Sequence, residues 1–154
     1  MQKVITGILE FLFEGYKNNP TEVYDISVIT KKHHVDAHEY GRFLLERGLI
    51  KNQMFLSDSF MCGITIGGID LIDPNYLSES TSKIVSTLGE LGGWKSVMKI
   101  LDFEPKDFQR AFDLVKFLEI KGLVDYQYQF NDIQIKLTLV GNDFYEKNRA
   151  NFFK

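Results

Sequence analysis

The sequence predicts an α+β chain, mainly helical, built as two copies of three helices followed by a two-stranded β-hairpin. Three observations lead there. Apolar residues recur at helical spacing in several stretches, shorter stretches alternate as strands do, and the order of these signals repeats along the chain.

In the first copy, Val4, Ile5, Ile8, Leu9, Leu12 and Phe13 form one apolar stripe, with Glu10, Glu14 and Lys17 off it. Asn18-Asn19-Pro20 ends that helix. Ile26, Val28 and Ile29 suggest a short second helix, which runs into Lys31-Lys32-His33-His34. Asp36 with Glu39 three residues on has the spacing of a capping box, so a third helix should run from there to Arg47. Gly48 ends it, because glycine enters the left-handed conformation without a steric cost. Leu49 to Leu56 and Phe60 to Ile66 then read as strands, with Ser57-Asp58-Ser59 as the hairpin tip.

The second copy follows in register. Phe43 to Ile50 matches Phe117 to Val124, placing Gly48 and Gly122 74 residues apart, and Ile64-Thr65-Ile66-Gly67-Gly68 matches Leu137-Thr138-Leu139-Val140-Gly141. Ile84 to Leu91 is the expected first helix, Trp94 to Leu101 the second, and Glu104-Pro105 the start of the third, where proline suits the first helical position. Asn131-Asp132 is the second hairpin tip. Asp143 to Phe153 reads as a closing amphipathic segment. The boundary is expected after Tyr76, giving domains 1–76 and 77–154.

Composition narrows the function classes. With 154 residues, 44% hydrophobic and 25% charged, the chain can bury a core but is too short for a large catalytic barrel. Its net charge of −3 is the wrong sign for coating nucleic acid nonspecifically. The deficit lies in the first copy, since the second holds 11 basic and 11 acidic residues. No stretch reaches the roughly 18–20 apolar residues of a membrane span. Met1 to Gly7 lacks the apolar run of a signal peptide, and the single Cys62 forms no internal disulfide, so a cytoplasmic location is expected.

Three helices and a hairpin, with Gly-Leu leaving the third helix and Thr-x-x-Gly closing the last strand, resemble the winged helix-turn-helix superfamily, as two such domains in tandem. The resemblance covers nearly the whole chain. It implies a DNA-binding transcriptional regulator, in which the third helix enters the major groove of double-stranded DNA and the hairpin, or wing, lies against the backbone. Periodicity then selects the residues. In the second copy Phe108, Ala111, Phe112, Val115 and Leu118 should be buried, leaving Lys106, Gln109, Arg110, Asp113 and Lys116 outward. Arg and Gln suit base edges, and Lys suits phosphate. In the first copy Ala37, Tyr40, Phe43 and Leu44 should face inward and His38, Glu39 and Arg42 outward, with Lys31 and Lys32 just ahead to meet phosphates.

The alternative is a winged-helix protein-interaction module without DNA binding, in which the acidic first copy and the Phe152-Phe153 terminus dock a partner or a second copy of the chain. Both wing tips carry acid, and Glu39 and Asp113 would repel phosphate.

Other chemistry is not expected. His33, His34 and His38 cluster in sequence, but no Cys-x-x-Cys or His-Glu-x-x-His pattern accompanies them, so they read as surface histidines. Cys62, alternating with Phe60 and Ile64, reads as a buried strand residue rather than a redox sensor. Gly67-Gly68 and Gly89-x-x-Gly92-Gly93 read as turns. Tyr126, Tyr128 and Phe130 alternate along a strand and should pack against Ile133, Ile135 and Leu137. No spacing indicates a catalytic group, a cofactor or a metal site, and a non-enzymatic role is expected.

Overall fold

A computed structural model describes residues 1–152, and of Phe152 the backbone alone. The Phe152-Phe153 terminus expected to dock a partner therefore lies outside the described residues and side chains. The fold is α+β. The chain divides after Pro74 into two units, and each contains a three-stranded antiparallel sheet.

The first unit opens with α1 (Gln2–Asn18), whose Val4, Ile5, Ile8, Leu9, Leu12, Phe13 and Tyr16 are buried at helical spacing. A two-residue strand β1 (Tyr24–Asp25) leads into α2 (Ser27–Thr30) and a 3-10 turn at Lys31–His33. His34 then takes the left-handed conformation at φ 56°. Next comes α3 (Ala37–Glu46), at whose start the Asp36 carboxylate accepts a hydrogen bond from the His38 amide at 3.2 Å. Gly48 ends it at φ +70°, as its position predicts. The hairpin is β2 (Ile50–Leu56) and β3 (Ser59–Ile64), with β3 central in the order β1-β3-β2. Phe60, Cys62 and Ile64 alternate inward and are fully buried.

The expected two-stranded sheet is thus corrected to three strands. Tyr24 pairs with Cys62 and Asp25 with Met61, yet a two-residue strand has no periodicity to read. Asp25 locks this join by accepting from the Ser27 hydroxyl at 2.7 Å and the Ser27 amide at 2.9 Å. Burial pushes its carboxyl up, but those bonds and others from Ser59 and the Phe60 amide outweigh it and hold the pKa below the usual value.

Gly67-Gly68 is also corrected, from a turn to the first residues of α4 (Ile66–Ile72), capped by Thr65. A Cβ on Gly68 would stand 2.5 Å from the Leu49 carbonyl oxygen. Glycine is required there for close approach to the loop leaving α3.

In the second unit α5 (Pro74–Leu91) begins ten residues before the expected Ile84, with Leu77 buried on the same face as Ile84, Val85 and Leu88. The polar run Ser78 to Ser82 hides that first half from a periodicity argument. Gly89 is helical, and the Tyr145 ring occupies the space a Cβ would need; Gly92 and Gly93 do form a turn, both at φ +69°. Then follow β4 (Lys95–Ser96), α6 (Val97–Ile100), a 3-10 turn at Pro105–Asp107, α7 (Phe108–Ile120), β5 (Val124–Gln129), β6 (Asp132–Leu137) and α8 (Leu139–Phe152). Here β6 is central, in the order β4-β6-β5.

Candidate functional site

The surfaces singled out by the sequence are the α3 and α7 helices with the hairpins that follow them. In the first unit Lys31, Lys32 and Arg42 are exposed and make no ion pair among the described residues. An open cleft of about 360 Å³ joins Ser27, Lys31, Asp36 and His38 to the hairpin tip at Ser57 and Asp58. Lys31 therefore shares its cleft with two acids.

His38, expected to face outward, is half-covered by the hairpin. Its Nε2 lies 3.1 Å from the Leu56 carbonyl oxygen. Its ring stacks on Phe55 and meets Phe60 edge-on, each with centroids 5.9 Å apart. The hairpin folds back over the first turn of α3, because the large rings of Phe55 and Phe60 find their apolar partner there. Among the described residues no group of three or more His, Cys, Asp or Glu could hold a metal ion. Burial, with the nearby Asp25 charge, pushes the Cys62 thiol up to about 12. A protonated, inaccessible thiol of this kind is inert.

In the second unit the expected reading face is largely tied to itself. Arg110 Nη1 lies 2.6 Å from Asp107 Oδ1, in a pair whose side chains are 20% and 13% exposed. The other Asp107 oxygen accepts from the Glu104 amide at 3.2 Å, joining Arg110 to the start of the helix. Gln109 Nε2 donates to Asp113 at 2.8 Å. Asp113 is itself buried, which corrects its expected outward position; Leu114 joins Ala111, Val115 and Leu118 in the buried face, while Phe108 and Phe112 are half-buried. Lys116 bonds Glu119 at 3.1 Å and the Tyr126 hydroxyl at 3.4 Å, and these bonds raise its pKa. Lys106 remains open to solvent, 3.7 Å from Glu104.

The hairpins expose apolar side chains in place of cations. Met54, Phe55 and Leu56 are each more than half exposed near the first tip. Along β5 the register sets Tyr126 opposite Ile135 and Tyr128 opposite Ile133, as expected of that face. The strand lies at the sheet edge, however, so Tyr128 is 54% exposed, and Phe130 at the tip is 93% exposed rather than packed. Tyr128 stacks on Phe112 with centroids 5.6 Å apart. The first of these patches follows from Met54-Phe55-Leu56 being consecutive, since three consecutive apolar residues in a strand cannot all face one core.

No protein-family model matches the chain, and no curated protein matches it. No described helix is long and apolar enough to cross a membrane.

Proposed function

We propose that this chain is a tandem winged-helix protein acting as a protein-docking module, with its hairpins as the contact elements. The winged-helix reading is supported by the order of elements in each unit and by the glycine, left-handed in both, between the third helix and the hairpin. The docking reading rests on one observation. Both hairpins expose apolar groups where a groove-probing wing presents Arg or Lys: Met54, Phe55 and Leu56 beside the exposed acid Asp58 in the first, and Tyr128 and Phe130 in the second, where Asp132 is held by the Ser96 hydroxyl and the Ile133 amide. A reducing, cytoplasmic setting suits the buried free thiol of Cys62.

DNA binding is the second reading, and the first unit favours it over the second. Lys31, Lys32 and Arg42 are exposed and make no ion pair among the described residues, while Arg110 and Lys116 already have theirs. Fluorescence-anisotropy titration against random duplex DNA at about 50 and 200 mM salt separates the two. Docking predicts no binding at the lower salt. Binding that collapses at the higher salt, and is lost in Lys31→Ala with Lys32→Ala, would replace it with the DNA reading.

A further inference from the structure

The two sheets leave unlike edges. In the first unit β2 carries Lys51 and a break in register between Lys51 and Met54, with Asn52 at φ 57°. A charge and a bulge are the usual means by which an edge strand avoids pairing with another chain. The outer edge of β5 has no bulge and no lysine. It pairs with β6 without interruption from Val124 to Gln129, contains no Lys, Arg, Pro or Gly, and carries a single charge at Asp125. Asp125, Gln127 and Gln129 on its open face are all exposed.

The hairpin geometry says which backbone groups are free. Phe130 and Asn131 form a two-residue connection, so Gln129 and Asp132 are its hydrogen-bonded closing pair. By alternation, Gln127 and Asp125 also turn their amides and carbonyls to β6, while Tyr126 and Tyr128 turn theirs outward.

We infer that the β5 edge pairs antiparallel with β5 of a second copy of this chain, joining two three-stranded sheets across a two-fold axis. The strand is complementary to itself in the register that puts Gln127 on the axis. Tyr126 then exchanges both backbone hydrogen bonds with Tyr128 of the other copy, and their rings meet on the face that already carries Phe112. On the opposite face Asp125 meets Gln129, an amide able to donate to a carboxylate, and no like charges face each other. Val124, whose side chain is already buried in its own unit, comes opposite Phe130. The inference rests on the docking reading and names the partner of the second hairpin.

The test uses the full chain. Gln127→Cys sets two thiols opposite each other in a non-hydrogen-bonded pair, the antiparallel position whose separation suits a disulfide. Cys62 does not compete because it is fully buried. Mild oxidation should yield covalent dimer from Gln127→Cys much faster than from Gln53→Cys on the other hairpin or from Asp125→Cys, which faces Gln129. In sedimentation equilibrium the unmodified chain should dimerise, and Gln127→Lys should raise the dissociation constant about tenfold by opposing two cations. A chain monomeric up to about 100 µM, or equal crosslinking at positions 53 and 127, overturns the pairing. Duplex titration of the same samples keeps the two claims apart: an intact β5 dimer that binds DNA in a salt-sensitive way supports the pairing and removes the docking reading.

Discussion

The hydroxyl of Thr138 donates to the carbonyl of Gly122 at 2.5 Å and accepts from the amide of Gly141 at 2.9 Å. Thr65 does the same in the first unit, donating to Gly48 at 2.6 Å and accepting from Gly68 at 3.0 Å. One side chain thus ties the glycine that ends the third helix to the start of the helix after the hairpin. Backbone bonds from Thr65 to Leu49 and from Thr138 to Leu123 run alongside. This node fixes where each hairpin leaves and returns.

Replacing that threonine should cost both bonds at once. Thr138→Val is expected to destabilise the chain by about 1–3 kcal/mol, combining a lost helix cap with a lost hydrogen bond, while Thr138→Ser retains most of the stability. Urea unfolding followed by circular dichroism checks this.

Neighbouring glycines in α4 should respond with opposite sign. Gly68→Ala drives a methyl group against the Leu49 carbonyl, a backbone atom that cannot step aside, and should cost about 2 kcal/mol. At Gly67 the nearest atoms lie 3.5 Å from the added carbon. Gly67→Ala should therefore be neutral or stabilise by up to about 1 kcal/mol through the unfolded state. Equal destabilisation of both variants would contradict the close approach.

Arg110 is predicted to matter for stability. Arg110→Ala removes a half-buried pair linked to the start of α7 and should cost about 1 kcal/mol, whereas Lys147→Ala breaks an exposed pair with Asp143 and should change little. Thermal melts of the two variants compare them directly.

Two groups, the half-buried Asp25 and the buried Cys62, should make stability depend on pH at opposite ends of the scale. The Asp25 pKa is lowered on folding, so its contribution is present above the ordinary carboxylate value of 3.8 and is lost as pH falls through the folded value. The destabilisation caused by Asp25→Asn should be full at pH 6 and shrink below about pH 4. The Cys62 pKa is raised from 9.0 to about 12, so its contribution holds below pH 9 and fades as pH climbs towards 12. A thiol reagent at pH 8 should leave the native chain unmodified and label it in urea. Rapid native labelling would show that the β3 thiol is accessible.

Much of the architecture was legible in the residues alone: α1 from its six-residue stripe, the ends of α3 and α7 from Gly48 and Gly122, both hairpins from alternation, and the twofold repetition from Thr65 and Thr138. These signals are local, because periodicity and left-handed glycine report on the backbone of the segment that contains them. What tertiary structure decided was partnership. The strands β1 and β4 exist only through their pairing with β3 and β6. His38 is half-covered because it packs on Phe55 and Phe60, and Asp113 is buried with Gln109 as its partner although its spacing looked solvent-facing. A sequence states which groups can form a charge pair, stack or hydrogen bond; packing chooses which of them do, since each buried group must find its partner in the space the fold leaves.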